Sequence, residues 1–280
     1  MRLVQASEQQ KVARDVLTAS AWASPLTTQR FLEREQALRT HPWAKRMTTW
    51  LWCAENGDVL SSCETFISEA HGGLAATIAS VFTETHLRGH GHAEAMLREL
   101  INVFRARGDV LALTLFSEIG PKLYARVGFQ PVPSFDVLLE PLETAPDVEW
   151  NNQLPKETAN DDELRLIVTR DRFDWQLVRE DFYGHRLDFH GAIDGDSSIT
   201  WTAYWKAREL QVLTYERVTP KLLEAARHAA FRAQLPFVRL WETEPLTVGQ
   251  RVSRDDELPM FLPLSQRIRT WTNIHRATWA

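Results

Sequence analysis

Residues 78–93, IASVFTETHLRGHGHA, link a predicted strand to the most clearly amphipathic helix of the chain. The strand is predicted over 76–82, and residues 92–107 carry apolar side chains at helical spacing. Between them lies the turn Arg88-Gly89-His90-Gly91-His92-Ala93. The first N–H groups of a helix have no partner within the helix, and the helix dipole adds positive charge there. Because glycines allow a phosphate to approach the backbone and Arg88 adds charge, the turn is a predicted anion-binding site.

The turn differs from the two best-known phosphate-binding loops. It lacks the GxxxxGK[ST] run of a P-loop. It also lacks the third glycine and the following acidic residue of a dinucleotide-binding unit. Glycine-rich turns between strands and helices are common as purely structural connections, so that alternative stays open on the residues alone.

Composition is that of an ordinary globular protein. The 280 residues suffice for one large domain or two smaller ones, with 44% hydrophobic and 25% charged residues. The formal net charge of −5 gives no basic excess, so nucleic acid is not a predicted partner. No apolar run reaches the roughly 18 residues of a membrane span, and the first ten residues have no apolar leader core. We therefore expect a cytoplasmic protein without membrane association, and its oligomeric state is left open.

The two cysteines are expected to be reduced. Between them lies Asn56-Gly57, a strong hairpin signal, and the resulting register places Cys63 opposite Trp50 and Cys53 opposite Leu60. Because the thiols are then not cross-strand partners, a disulfide is not predicted. Unpaired cysteines are typical of a reducing compartment.

An acidic segment at 140–163 divides the chain into two predicted lobes. It carries eight acidic residues, one basic residue and three prolines, which is typical of an exposed linker. A long surface loop within one domain is the alternative. In the first lobe we predict helices at 8–21 and 29–40, a hairpin, and a strand–helix–strand unit at 76–116, which together indicate a mixed α/β fold.

The predicted second lobe has a similar order of elements. Its predicted elements are a strand at 164–169, a helix at 171–187, a half-buried strand at 199–206, a strand at 210–218, a helix at 219–234 and a strand at 237–242. Thr219 and Pro220 supply an N-cap and a first-turn proline for the last helix.

The helix predicted at 8–21 in the first lobe has Val12, Val16 and Leu17 on one side.

Two motifs give the first lobe a family resemblance. Arg88, Gly91 and Ala93 fit the [Q/R]-x-x-G-x-[G/A] pyrophosphate loop of the GNAT superfamily of N-acetyltransferases. Residues 123–129, LYARVGF, match its L-Y-x-x-x-G-F helix and strand. The motifs stand in the family's order, so residues 60–135 resemble the acetyl-CoA-binding unit of this superfamily. The resemblance implies a mixed, mostly antiparallel twisted sheet flanked by helices.

The resemblance also implies acetyl-CoA as cosubstrate and a set of contacts to it. The implied contacts come from the strand end and the loop: Val81, Phe82, Thr83, Arg88, Gly89, His90, Gly91, His92 and Ala93. Many family members place Asn seven residues before the tyrosine of the second motif, and Ser117 takes that position here.

Tyr124 occupies the family's position for the acid that protonates the departing thiolate. A phenol of pKa near 10 can protonate a thiol of pKa near 8.5; a buried aromatic that packs the helix is the alternative. For the base, Glu64 is favoured and then Glu84, while a water chain or bulk deprotonation stays open. Backbone N–H groups of a splayed strand would polarise the carbonyl oxygen. Direct attack is expected, because no Cys or Ser stands in a nucleophile arrangement.

A metal site is not predicted. His86, His90 and His92 have a spacing that could bind zinc. However, His90 and His92 fall at variable positions of the phosphate loop, where the backbone amides matter and the side chains do not.

A finer resemblance concerns the whole chain. Residues 60–66, LSSCETF, and 115–129, LFSEIGPKLYARVGF, resemble the fungal lysine N-acetyltransferase branch, which carries a second GNAT-like lobe. It implies an acetyl-CoA-binding catalytic domain at 1–145. It further implies a degenerate GNAT-like domain at 160–280 that shapes the acceptor site and, having no glycine at 216–220, binds no second CoA.

The implied function is transfer of an acetyl group from acetyl-CoA to a small primary amine, either lysine or another. Three alternatives remain from the sequence. The first is a CoA-binding sensor or scaffold without turnover, and the second is an enzyme that acts on protein amines. The third is an unrelated α/β binding module in which the glycine-rich turn is structural.

Overall fold

The computed structural model describes residues 1–155, 160, 162–215, 217–243 and 245–279. The elements before the acidic segment are β1 Arg2–Gln5, α1 Glu8–Trp22, α2 Thr28–Thr40, β2 Met47–Cys53, β3 Val59–Ala70, β4 Gly73–Phe82, α3 His92–Arg107, β5 Val110–Ser117, α4 Lys122–Ala125, β6 Gln130–Pro131 and β7 Phe135–Leu139. Those that follow are β8 Glu163–Leu164, α5 Arg170–Asp181, β9 Gly191–Asp194, β10 Ser197–Tyr204, β11 Glu209–Tyr215, α6 Pro220–Arg232, β12 Val238–Trp241, β13 Gln250–Ser253, β14 Leu258–Pro263 and β15 Thr270–Trp271. Of the helices in these ranges, none has the length and apolar character needed to cross a bilayer.

The first sheet has seven strands in the order β1-β2-β3-β4-β5-β14-β6. Neighbouring strands are antiparallel except β4 and β5, which are parallel and are joined through α3. Helix α3 packs Met96, Leu97 and Leu100 into the core, where these side chains are fully buried. The predicted mixed α/β fold with a mostly antiparallel sheet is therefore confirmed.

The second sheet has six strands in the order β13-β7-β12-β11-β10-β9. Here β11 and β12 are the parallel pair, and α6 joins them. Thr219 caps α6 through its side chain, with Pro220 in the first turn, as the sequence predicted. Both sheets thus contain a parallel strand–helix–strand unit, which is the similarity of pattern seen in the sequence.

Each sheet takes one strand from the other side of the acidic segment. Strand β14 lies between β5 and β6 in the first sheet, with Met260 fully buried in its core. Strand β7 lies between β12 and β13 in the second sheet. A division at residues 145 and 160 therefore separates strands that pair, and a two-lobe description needs these strands exchanged. Residues 156–159 and 161 of the acidic segment and residue 216 before α6 lie outside the described residues.

Helix α1 buries a polar side instead of an apolar one. The side chains that the sequence places on its apolar side are exposed to 51% at Val12, 53% at Val16 and 42% at Leu17. The buried side consists mainly of polar residues: Arg14, Asp15 and Thr18. The reason is that this side of α1 faces the polar side chains of other elements, which supply hydrogen-bond partners that helical periodicity does not reveal.

Strand β10 is buried on both faces rather than on one. In the strand predicted to be half-buried at 199–206, Thr200 and Thr202 alternate with the apolar Ile199, Trp201 and Ala203, yet both threonines are buried. Thr202 Oγ1 donates to Glu180 on α5 at 2.6 Å, and the hydroxyls of Thr200 and Thr214 lie 2.8 Å apart. Helix α5 therefore covers the face that the alternating pattern assigned to solvent.

The predicted hairpin register is correct at one cysteine and wrong at the other. Cys63 pairs with Trp50 as predicted, whereas Cys53 pairs with Val59 and not with Leu60. The cause is a register shift between Trp52 and Cys53. Both thiols are buried and free, as predicted.

Candidate active site

A cavity of about 870 Å³ opens beside the end of β4. The pairing of β4 with β5 ends at Ile78 and Leu115, so the last residues of β4 separate from that neighbour. Helices α1, α2 and α5, strands β10 and β11, and residues 276–279 contribute other parts of the wall. The cavity is therefore lined from both sides of the acidic segment.

Most of the predicted site residues line this one cavity. They are Glu64, Val81, Phe82, Thr83, Arg88, Gly89, Gly91, His92, Ala93 and Tyr124. Three others are placed differently. Glu84 lines a separate cavity of about 80 Å³ beside α1. His90 turns its Nδ1 toward the Leu87 carbonyl at 3.3 Å, and the Ser117 hydroxyl donates to the Gly120 carbonyl at 2.7 Å.

The glycine-rich turn presents a row of backbone N–H groups. Gly89 and Gly91 have φ of 83° and 77°, a region that glycine adopts without the strain that a Cβ would cause. Gly91 is the N-cap of α3, and the first helical bond runs from Ala95 N to the Gly91 carbonyl at 3.0 Å. Among the described residues, no protein acceptor is bonded to the amides of residues 89–94. The turn therefore keeps the donors that an anion needs.

The charges around the turn also suit an anion. Arg88 is exposed, and its Nε donates to the Thr83 carbonyl at 3.0 Å. Glu94 lies in the first turn of α3, where its charge would repel an anion, but Arg98 and Arg126 bond its two oxygens at 2.8 and 2.7 Å. Hydrogen bonds from these arginines lower the pKa of Glu94. The two arginines thus balance the negative charge of Glu94 beside the turn.

Strand β4 bulges where it enters the cavity. Ser80 has φ of 52°, and the β3–β4 register shifts between Ser62 and Glu64. Arg14 of α1 stabilises this geometry, because its guanidinium donates to the Ser80 carbonyl at 2.6 Å, to Ser62 Oγ at 3.0 Å and to Glu64 Oε1 at 2.9 Å. The predicted base Glu64 is therefore an ion-paired carboxylate beside the splayed part of β4.

Tyr124 lies on α4 and combines packing with a position on the cavity wall. It is 6% exposed, and its ring meets Phe129 edge to face at 6.3 Å. Backbone N–H groups of Val127 and Phe129 both donate to the Tyr124 carbonyl at 3.1 Å, which fixes the turn after α4. Burial raises the pKa of the phenol above its ordinary value, so the hydroxyl keeps its proton at neutral pH.

Sequence reasoning missed a buried charged pair behind the cavity wall. Asp15 of α1 forms an ion pair with Arg39 of α2, and Arg39 and Glu35 line the cavity. Burial raises the pKa of Asp15 to about 6 against the opposing effect of Arg39, and the charges of Glu35 and Glu64 add to the rise. The sequence does place Arg14, Asp15 and Thr18 together on one side of α1. The apolar residues on the other side, however, indicate that the other side is the buried one.

The sequence analysis also did not predict the residues at the far end of the cavity. Aromatic and guanidinium groups from α5 and the 276–279 segment alternate there: Trp175, Arg179, Trp279 and Arg276. The two residues of α5 and the two of the 276–279 segment are about a hundred positions apart in the chain, so no local sequence pattern connects them.

The histidines near the turn do not converge. The rings of His90 and His92 stack at 5.9 Å, and His86 Nδ1 lies 3.9 Å from Glu84 Oε2. In the part of the chain that the structure describes, no group of three His, Cys, Asp or Glu side chains is placed to hold a metal ion.

Comparison with known proteins identifies the fold. No protein-family model and no curated protein sequence matches the chain. A GCN5-related N-acetyltransferase from Kribbella flavida matches at TM-score 0.56 and 14% identity, over 93% of this chain and 70% of that one. A protein of unknown function from Enterococcus faecalis, described as a probable N-acyltransferase, matches at TM-score 0.60 and 12% identity, over 94% and 72%.

A proposed acetyltransferase from Pyrococcus horikoshii also matches, at TM-score 0.60 and 11% identity, over 100% of this chain and 94% of that one. Identities this low show the fold alone. The chain thus has the fold of GNAT-family structures over nearly its whole length. The finer resemblance to the fungal lysine branch stays a prediction.

Proposed function

We propose that the protein is an acetyl-CoA-dependent N-acetyltransferase whose acceptor is a small primary amine, lysine or another. One observation carries the proposal: a single cavity is lined by the N–H groups at the start of α3, by the splayed end of β4, and by Tyr124 and Glu64. An anion site and two proton-transferring groups on one cavity are what acyl transfer from a phosphate-bearing thioester requires.

The chain's residues fit acetyl-CoA, which supplies a thioester when bound. The amides of residues 89–94 and the Arg88 guanidinium would hold its diphosphate. Val81, Phe82 and Thr83 would bind the pantetheine arm, because β4 beyond Ile78 has left β5 and these three residues line the cavity. Support for Ser117 is weaker, since its hydroxyl already donates to Gly120.

The same residues account for the protons of the transfer. The amine nitrogen bonds to the carbonyl carbon as the carbon–sulfur bond breaks. Glu64, directly or through water, would take the proton that the amine loses, and it is better placed than Glu84, which lies on another cavity. Backbone N–H groups of residues 79–82 would donate to the carbonyl oxygen. Tyr124 would give its proton to the departing sulfur.

The second lobe would shape the acceptor end. We propose a catalytic first lobe, residues 1–145, and a degenerate GNAT-like second lobe, residues 160–280, with β7 and β14 exchanged between their sheets. Residues of α5, β10 and β11 line the same cavity as the turn. A cavity walled from both lobes favours a small amine over a protein chain.

A thiol-release assay with acetyl-CoA tests the proposal. The enzyme is offered a panel of amino acids, diamines and polyamines, and CoA affinity is measured separately by calorimetry. Turnover with at least one amine is expected, together with loss of CoA binding in Arg88→Ala combined with Gly91→Val. CoA binding without turnover on any amine would favour a sensor. CoA affinity that is unchanged in the double variant would reject the site.

A further inference from the structure

We infer that the acceptor carries a carboxylate and that Arg179 binds it at the second-lobe end of the cavity. The inference rests on the proposed acetyl transfer and adds the chemical class of the acceptor. It starts from a guanidinium that lines the cavity and has no carboxylate partner in the described ranges.

Arg179 makes cation–π contacts with two indole rings. Its guanidinium carbon lies 4.1 Å from the ring centroid of Trp175 and 4.7 Å from that of Trp279. Its hydrogen bond is a long one, 3.4 Å from Nη1 to Gln176 Oε1. With its carbon over aromatic rings, a guanidinium bonds through its edge, and that planar edge matches the two oxygens of a carboxylate.

The neighbouring charges leave Arg179 unbalanced. Arg34 is paired with Glu35 at 2.8 Å, and Arg276 is paired with Glu257 at 2.9 Å. Burial, with a further effect of Arg34, lowers the pKa of Arg179 to about 10, so the group is still a cation at neutral pH. Arg179 is half-buried. A cation without a counter-ion is unfavourable at such a position, and an anionic ligand in the cavity would remove that cost.

Arg276 supplies a second, independent observation on the same wall. Its Nε donates to Gln211 Oε1 at 2.8 Å, while its Nη1 is buried and bonds to nothing among the described residues. The side chain is 4% exposed and lines the cavity. Its guanidinium carbon lies 4.2 Å from Trp279, on whose ring Arg179 also stacks. Two arginines with spare donors therefore share one aromatic partner.

The opposite end of the cavity suits an amine. Glu64 lines the cavity there, opposite Ala79 of β4, and the transfer would take place beside that strand. An acceptor that spans the cavity thus needs an anionic group toward α5 and an amine toward β4. An amino acid with a second, distant amine has this form.

Matched acceptors that differ only in the carboxylate test the inference. The pairs are L-lysine with cadaverine, L-ornithine with putrescine, and L-tyrosine with tyramine, each assayed by thiol release at saturating acetyl-CoA. For the preferred pair we expect kcat/KM to favour the carboxylate member by about 10- to 100-fold, as for a charge-assisted contact. Arg179→Met should abolish that ratio by raising the KM of the amino acid to that of the decarboxylated member.

The control is Arg232→Met on α6, which removes an exposed arginine away from the cavity and should keep the parental ratio. Melting temperatures with each acceptor, in the presence of CoA, give a readout that does not need turnover. Equal kcat/KM within every pair that turns over, or equal thermal shifts within every pair, would overturn the carboxylate inference while acetyl transfer stands. Absence of both CoA binding and turnover would instead remove the proposed function.

Discussion

Arg14 Nη1 lies 2.9 Å from Glu64 Oε1, and the pair joins α1 to the strand that carries the proposed base. Both side chains are largely buried, at 6% and 15% exposure. The same guanidinium bonds the Ser80 carbonyl at the β4 bulge. The position of the base and the opening of the sheet therefore depend on one arginine of a helix whose apolar side is exposed.

Replacing Arg14 by Met should destabilise the protein and abolish turnover. The substitution leaves a buried carboxylate without its counter-ion, and loss of one partner of such a pair costs about 3–5 kcal/mol. Urea unfolding followed by circular dichroism measures the change. The control is Arg30→Met, which breaks an exposed pair with Glu33 and should cost far less, because solvent screens an exposed ion pair. Equal effects of the two variants would contradict the structural role of Arg14.

Replacing Tyr124 by Phe should lower kcat with saturating acetyl-CoA by about 100-fold or more, the range of general acid catalysis. Because the ring contact with Phe129 remains, stability and the KM for acetyl-CoA should change little. Tyr215→Phe is the matched control. It removes a buried hydroxyl that donates to the Trp241 carbonyl at 2.8 Å, so it should reduce stability and leave kcat unaltered. Full activity of Tyr124→Phe would remove the acid from the mechanism.

Local signals in the sequence were sufficient for α3 and its turn, because glycines, helix spacing and the preceding strand lie within thirty or so residues. They were insufficient where the deciding partner is distant. The buried side of α1 depends on Glu64 and Arg39, and the cavity wall joins Arg179 to Trp279.

Strand β14 shows the same limit for the fold. Its residues pair with β5, for instance Leu262 with Leu113, across an acidic segment that resembles a linker. A pattern of Pro and acidic residues indicates an exposed segment, but it does not say which strands pair around it.

Asp15 should make stability fall as the pH rises from about 4 to 6. Its pKa is raised from 3.8 to about 6 in the folded protein, so in that interval the folded state holds a proton that the unfolded chain has lost. The stabilisation from this proton is complete below the unfolded pKa and is lost as the pH passes the folded pKa. Relative to Asp15→Asn, which cannot ionise, the parent should lose about 2–3 kcal/mol between pH 4 and 7. Parallel curves of unfolding free energy against pH for the parent and Asp15→Asn would contradict this prediction.

Alanine substitutions at two comparable glycines distinguish an effect of backbone strain from an effect on ligand binding. Gly91 at φ 77° and Gly57 at φ 94° both have open space where a Cβ would stand. Gly91→Ala and Gly57→Ala should each lower the free energy of unfolding by about 1 kcal/mol. Only Gly91→Ala should raise the Kd for CoA, by about tenfold, since its new methyl group projects beside the free amides. Calorimetric titration with CoA measures this difference, and equal Kd values would place the diphosphate elsewhere.

A fragment of residues 1–155 should not fold by itself. It lacks β14, so β5 loses its neighbour along six residue pairs from Ala112 to Ser117, and the first core loses Met260, whose removal even to Ala costs about 2–5 kcal/mol in a core. Near-ultraviolet circular dichroism and limited proteolysis should show a chain without fixed packing, although the turn and α3 are present. Adding a peptide of residues 250–270 should restore protection of β5 if the missing strand is the cause, whereas a fragment that unfolds cooperatively without it would show that the first sheet does not depend on the exchange.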